Sequence, residues 1–145
     1  MDYRKGKYRI SAEVSEADLQ IIYEFLTNCY WANGIPYSVV EKSVRNSLCF
    51  CMHDGEKLVG FARVISDYAT FAYLADVFVL ESHRGQGLSK WLMECIMNHP
   101  ELQGLKRWVL ATRDAHELYR KYGFTNVKWP ERYMEILNLD IYRRL

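Results

Sequence analysis

Apolar residues recur at helical spacing after the stretch Ser15-Glu16-Ala17-Asp18: Leu19, Ile22, Phe25, Leu26 and Cys29 fall on one face. Ser15 and Asp18 stand at the spacing of a capping box, which puts the helix start there. Gly34 and Pro36 interrupt the pattern, and a short second helix is predicted around Ser38 to Arg45. The period then changes. "SLCFCMHDGEKLVGFARVISD" reads as two strands about an Asp54-Gly55 turn, and "TFAYLADVFVL" as a third strand ending near Leu80. Leu88, Trp91, Leu92, Cys95 and Ile96 return to the i, i+3, i+4, i+7, i+8 series of one buried helix face, closed by Pro100 and Gly104. "RWVLAT" (Arg107 to Thr112) predicts a buried strand. Asp114 and Glu117, at capping-box-like spacing, open a short helix through "HELYRKY" that Gly123 ends. "FTNVKW" and "YMEILNLDIY" predict two final strands, and Tyr8 to Ser11 has the pattern of an extra one. The resulting order, α-α-β-β-β-α-β-α-β-β, predicts an α/β fold: a mixed sheet with helices on both faces. No repeat, linker or low-complexity tract interrupts it, so residues 1–145 are read as one domain.

Composition narrows the function without naming it. The 145 residues are 50% hydrophobic, enough to bury a core without disulfide or metal staples. Nineteen basic and eighteen acidic side chains leave a formal net charge of +1, so no bulk field recommends nucleic acid or an anionic membrane. The basic start "MDYRKGKYRI" is followed by no apolar run, and no stretch approaches the roughly 18 apolar residues of a spanning helix. A cytoplasmic protein is expected, with Cys29, Cys49, Cys51 and Cys95 as free thiols. Cys49, Cys51 and His53 share one face of a strand, but ligands in line along one strand do not build a tetrahedral shell, so no metal is expected.

The chemistry concentrates in "HRGQGLSKWL", His83 to Leu92, a loop between a strand and a helix. A helix mouth offers unpaired N–H groups and the positive end of the helix dipole to an anion. Gly85 and Gly87 have no Cβ, so a phosphate can approach the backbone, and Arg84 adds a charge. A plain strand-to-helix turn needs glycine just as much. The dinucleotide fingerprint fails, because Lys90 occupies the third glycine position, and the phosphate-loop pattern is missing.

At these residues the sequence resembles the GNAT superfamily of N-acetyltransferases, over nearly the whole chain. The most specific part is "DVFVLESHRGQGLSKWL". That family's loop pattern is Gln/Arg-x-x-Gly-x-Gly/Ala, and Arg84, Gly87 and Ser89 take those positions. "HELYRKYGF" resembles its second signature, an aliphatic-Tyr-x-x-x-Gly-Phe ending. Two matching motifs on the expected element order are far more specific than either alone. The resemblance implies an acyl-CoA N-acyltransferase fold, with a central, mostly antiparallel sheet, and acetyl-coenzyme A as co-substrate. It implies that the N–H groups of Gly85, Gln86, Gly87, Leu88, Ser89 and Lys90 hold the pyrophosphate. The edge of Val77, Phe78 and Val79 would bond the pantetheine arm as an added strand would. One of those strand amides would polarise the thioester carbonyl. Two positions depart from the family: Ser89 replaces the usual final Gly or Ala, and Thr112 stands where many members carry an asparagine that contacts the cofactor.

Acetyl transfer needs a neutral amine, whereas an alkylamine of pKa about 10.4 is almost wholly protonated at pH 7. It also needs an acid for the departing thiolate. The resemblance gives the acid role to Tyr119, whose spacing beside Leu118 and Tyr122 also suits a packing tyrosine. Asp76 lies in an otherwise apolar strand, where an unpaired carboxylate is expensive. It reads as a base, as an anchor for the acceptor's ammonium, or as a structural partner of Arg63. Asp67 and Glu117 read as a turn acid and a helix cap, and His83 and His116 are given no catalytic part. Tyr30, Trp31, Tyr37, Trp129 and Tyr133 are the candidate acceptor-binding aromatics, by cation–π or apolar contact, each with core packing as its other reading. The expected activity is acetylation of a primary amine on a small molecule or amino acid. The alternatives are a protein or peptide acetyltransferase and a non-catalytic acetyl-coenzyme A binding module. The expected assembly is a monomer or a homodimer, the latter through an exposed last strand, "EILNLDIYRRL".

Overall fold

A computed structural model of the chain describes residues 1–143. Helix α1 (Glu16–Asn28) begins as its sequence predicts: the Ser15 hydroxyl accepts from the Asp18 N–H at 3.1 Å, and the Asp18 carboxylate accepts from the Ser15 N–H at 2.9 Å. Such reciprocal caps are worth about 1 kcal/mol each. Helix α2 (Tyr37–Arg45) follows Pro36 directly. The strands are β1 (Asp2–Lys5), β2 (Tyr8–Ser11), β3 (Leu48–Asp54), β4 (Lys57–Ser66), β5 (Phe71–Val79) and β6 (Arg107–Val109). Helix α3 (Leu88–Met97) joins β5 to β6, and α4 (His116–Arg120) follows β6. One six-stranded sheet runs β1-β2-β3-β4-β5-β6, antiparallel except for the parallel β5–β6 pair.

Alternation along β3 divides the core between the two faces of this sheet. Phe50 and Met52 face α3, where Leu88, Trp91, Leu92, Cys95 and Ile96 are buried as the helical series predicts. Cys49 and Cys51 face α1 and α2, against Leu19, Ile22, Leu26, Val40 and Val44. Asp67 organises the β4–β5 turn, accepting from the N–H groups of Ala69, Thr70 and Phe71 and from the Thr70 hydroxyl. These four donors hold its carboxyl well below the usual carboxylate range.

Four expectations are corrected. Strand β1 exists although its residues are mostly exposed and carry no apolar alternation. The strand read from Arg107 to Thr112 stops at Val109, because beyond that residue the chain turns away from β5. Helix α4 is not capped by Asp114: its N-cap is Ala115, and the Thr112 hydroxyl accepts the Ala115 N–H at 3.0 Å. Glu117 instead meets Arg120 at 3.6 Å. The two final strands are not formed: after α4 the only regular element among the described residues is a short turn of 3-10 helix, Pro130–Arg132. The apolar positions of "YMEILNLDIY" are real, but Met134, Ile136, Leu137, Leu139 and Ile141 stay well exposed, and only Tyr142 packs with the α1–α2 core. Arg144 and Leu145, the end of the stretch expected to pair across a dimer, lie outside the described residues.

Candidate active site

Residues 80–90 carry the chain from β5 into α3 around two left-handed residues, Gly85 at φ 81° and Gly87 at φ 75°. A Cβ on either would meet no atom within 4 Å. The glycines are therefore not there to let another part of the protein pack closely. They permit the backbone geometry, and they leave the space before it open. Trp91 makes the first intrahelical bond, to the Gly87 carbonyl at 3.1 Å. The N–H groups of Gly85, Gln86, Gly87, Leu88, Ser89 and Lys90 find no acceptor among the described residues. Beside them lies a cleft of about 160 Å³ lined by Val79, Arg84, Gly85, Gly87, Leu88 and Ser89, with His83 at its edge. The Arg84 side chain folds back, its Nε donating to the Val79 carbonyl at 2.9 Å, which ties the loop to the end of β5.

The loop is braced from behind. The Tyr8 hydroxyl donates to the Gln86 side-chain oxygen at 3.2 Å, and the His83 ring lies between Ser82 Oγ (2.8 Å) and Asp54 Oδ2 (3.4 Å). The His83 ring thereby links the loop to Asp54 at the end of β3. Sequence patterning could not show this brace, because its members come from β2, β3 and the loop itself.

Strand β5 pairs with β6 only from Phe71 to Tyr73. Past that point its β6-facing edge, Val77, Phe78 and Val79 included, has no neighbouring strand among the described residues. Just before it, Ala62 of β4 faces both Asp76 and Val77, since Arg63 pairs with Ala75 and Phe61 with Phe78. This is a β-bulge, and Asp76 absorbs it at φ 55°. The bulge exchanges the two faces: Ala72 and Leu74 pack toward α3, while Phe78 packs toward α1 and stacks on Phe25 at 3.9 Å. Both Asp76 oxygens are engaged. One accepts from Trp31 Nε1 at 2.8 Å, the other from Arg63 Nε at 2.9 Å. Arg63 and Asp76 side chains are 15% and 11% exposed, and Arg63 also donates to the Ser47 hydroxyl at 3.1 Å. Of the three roles open to Asp76, the structure displays the pairing with Arg63.

Tyr119 on α4 packs its ring edge-on against Phe124, at 6.0 Å between centroids. Its hydroxyl has no hydrogen-bond partner among the described residues, unlike those of Tyr8, Tyr30 and Tyr122. Burial raises its pKa above the usual 10, and the neighbouring Tyr30 oxygen raises it further. Tyr30 and Trp31 form an edge-to-face pair at 5.1 Å in the loop after α1, and the Arg113 guanidinium lies 3.8 Å above the Tyr30 ring. Arg113 carried no sequence signal, since nothing in its neighbours marks it as facing a ring far away in the chain. A cleft of about 630 Å³ opens beside Tyr30, Trp31 and Gly34, with Leu137, Leu139 and Tyr142 across it. The other candidate aromatics are not part of this group. Tyr37 packs against Tyr23 at 5.5 Å, Trp129 is flanked by Lys128 and Arg132, and Tyr133 lies under Arg107. The Thr112 hydroxyl is engaged by the Ala115 N–H just before α4.

Among the described residues no three His, Cys, Asp or Glu side chains gather as a metal site; His53 pairs with Asp18 at 2.8 Å instead. No described helix is long and apolar enough to cross a membrane.

Comparison with known proteins follows the same geometry. The acetyltransferase (GNAT) domain profile matches residues 45–126. A protein of Xanthomonas campestris pv. campestris whose crystal structure is assigned to the GNAT family is 48% identical; the match covers 94% of this chain and 97% of that one, with a TM-score of 0.91. An uncharacterized N-acetyltransferase of Prochlorococcus marinus is 30% identical over 122 residues, which is 80% of this chain and 67% of the relative. A GNAT family acetyltransferase from Elizabethkingia anophelis, solved with acetyl-CoA bound, is 16% identical but shares the fold, with a TM-score of 0.65 over 92% of this chain and 90% of that one.

Proposed function

The chain belongs to the GNAT family of acetyltransferases, and from that membership we propose that it moves the acetyl group of acetyl-CoA to a primary amine of a small molecule or amino acid. The observation that carries the proposal is the row of six N–H groups, Gly85 to Lys90, left without acceptors at the mouth of α3. Such a row costs free energy unless water or an anion satisfies it, and a pyrophosphate satisfies several donors at once. The open Cβ sides of Gly85 and Gly87 leave room for that anion. Acetyl-CoA supplies the activated thioester; the chain supplies position and proton management.

The unpaired edge at Val77, Phe78 and Val79 receives the pantetheine arm by main-chain bonds, as a strand joins a sheet edge. Strand amides there also suit the thioester carbonyl, whose oxygen gains negative charge on attack. Tyr119 keeps its proton at neutral pH because burial raises its pKa, and its hydroxyl is free to give that proton to the departing sulfur. Asp76 serves as the anchor of the bulge and of Trp31; with both oxygens engaged, it leaves the amine's proton to water. The acceptor side lies beside Tyr30 and Trp31; Arg113 already covers the Tyr30 ring, so the exposed Trp31 is the aromatic surface that suits an apolar group or an ammonium. The cleft of about 630 Å³ is of small-ligand size.

Thermal unfolding with and without acetyl-CoA tests the reading. At 100 times its Kd the ligand is expected to stabilise the native state by about 2.7 kcal/mol, seen as a raised midpoint. An unchanged midpoint at millimolar acetyl-CoA would overturn it. A raised midpoint is to be followed by thiol-release assays across a panel of amines, where turnover identifies the acceptor.

A further inference from the structure

The acceptor side of the site is short of negative charge. Asp76, the carboxylate beside Trp31, is neutralised by the Arg63 guanidinium at 2.9 Å. Among the described residues, no aspartate or glutamate lines the cleft of about 630 Å³, and its one charged lining side chain is Arg143. That arginine meets Asp140, which stands outside the lining, at 2.8 Å. Arg113 adds a cation next to this cleft. Its guanidinium lies 3.8 Å above the Tyr30 ring, and its main-chain N–H donates to the Tyr30 hydroxyl oxygen at 3.4 Å. Stacking occupies the flat face of a guanidinium and leaves the N–H groups of its edge open. No carboxylate among the described residues forms an ion pair with Arg113; Glu117, four residues on, meets Arg120 instead at 3.6 Å. The Tyr30 oxygen also acts on Tyr119, so the unpaired cation and the proposed acid share one neighbour.

Resting on the acetyl-transfer reading above, we propose that the acceptor is an amino acid with a free carboxylate, and that Arg113 determines this specificity by binding that carboxylate through the open edge of its guanidinium. A planar fork of donors matches a carboxylate in two parallel bonds. The pairing also helps the amine. With Asp76 engaged, its proton goes to water, and a carboxylate close to an ammonium normally favours the charged form. Pairing that carboxylate with a guanidinium withdraws the support, so the amine loses its proton more readily. The neutral nitrogen then attacks the thioester carbonyl carbon. The C–N bond forms and the C–S bond breaks, its electron pair going to sulfur. Tyr119 gives sulfur a proton, the nitrogen releases its second proton to water, and water restores the phenol. The half-exposed Trp31, held by its N–H bond to Asp76, is left for the amino acid's side chain. A polyamine would meet two arginines here and, among the described residues, no free acid.

Thiol release from acetyl-CoA, measured with the common amino acids, with the carboxamide of each and with spermidine, provides the test. The expected result is turnover of at least one amino acid, with kcat/KM for its carboxamide lower by about 10- to 100-fold, the range that a hydrogen-bonded charge pair supplies. In Arg113→Gln that preference for acid over amide is expected to collapse, chiefly through KM, and in Arg113→Lys to return in part. Arg113 is exposed, so both variants are expected to fold and to keep the rise in unfolding midpoint with acetyl-CoA. A merely structural role would lower acid and amide alike. Equal turnover of acid and amide, a preference for spermidine, or an acid preference that survives Arg113→Gln overturns the proposal. So does a lack of turnover with every amino acid while acetyl-CoA still raises the midpoint, an outcome that leaves donor binding standing. An unmoved midpoint instead removes the acetyl-transfer reading itself, and this proposal with it.

Discussion

Asp76 holds a backbone geometry that an L-residue adopts at a cost of roughly 1–2 kcal/mol, with aspartate and asparagine among the types that bear it best. Two charge-assisted or polar bonds, from Arg63 and Trp31, offset that cost. Asp76→Asn keeps the backbone tolerance and the shape but removes the charge opposite a nearly buried guanidinium. It is expected to destabilise the protein by about 2 kcal/mol in denaturant titrations. Its pH–rate profile should keep the acidic limb of the natural enzyme, because the carboxylate is an anchor; loss or displacement of that limb would restore the base role. Tyr119 yields the opposite pattern. Tyr119→Phe leaves the ring packing against Phe124 and deletes only the unengaged hydroxyl, so stability and acetyl-CoA affinity should hold while kcat falls about 10²-fold. The sign of the pH effect follows from its raised pKa. An acid with a raised pKa stays protonated to higher pH, so any alkaline loss of rate due to Tyr119 is displaced upward from that of an ordinary tyrosine and vanishes in the phenylalanine variant. Unchanged turnover in Tyr119→Phe would end the acid assignment.

At the scale of elements, Gly87 separates folding from function. Gly87→Ala forces a side chain to φ 75°, for about 1 kcal/mol of stability, yet its Cβ meets no protein atom. On the proposed reading that methyl stands where the pyrophosphate belongs, so acetyl-CoA affinity measured by calorimetry should fall by more than tenfold. A variant that binds normally would reduce the loop to a turn. The elements that were legible in sequence share one property: they carry their own boundary signals. Ser15 and Asp18 cap α1, Asp54-Gly55 turns the β3–β4 hairpin, and the five apolar positions of α3 mark its buried face. What was not legible depends on partners remote in the chain. Strand β1 is held by pairing with β2 while its side chains stay mostly wet, so no periodicity betrays it. Strand β6 has a long apolar pattern but a short ladder, because its length is set by where β5 lets go. The stretch "YMEILNLDIY" shows the converse failure: a strand-like pattern without a strand, since an apolar pattern does not report what covers it.

For the whole molecule, the two core layers flanking the sheet protect its thiols. Burial pushes Cys49 up to about 12 and Cys95 up to about 11, and raises Cys51 beyond the range where thiolates form in neutral buffer; Cys29, half-buried, is raised as well. A thiol reagent at pH 8 is therefore expected to label the native protein slowly and at Cys29 first, with all four cysteines reacting after unfolding. Rapid labelling of Cys49 or Cys51 in the native state would show that the α1–α2 layer opens easily. On the proposed function, the site divides along a similar line. Its donor half was legible because one continuous stretch, Arg84 to Lys90, makes it. The acceptor half was legible only as scattered candidates: Tyr30 and Trp31 follow α1, Asp76 lies on β5 opposite Arg63 of β4, and the folded sheet alone joins them to one another and to Arg113, which no pattern marked. That division has a consequence for descent with modification. The donor half consists of peptide groups, which every residue possesses, so sequences can drift far while the turn and the open strand edge persist. The acceptor half is spelled in side chains, and each replacement there rewrites what the protein will accept. A lineage built this way keeps its currency and changes its customers.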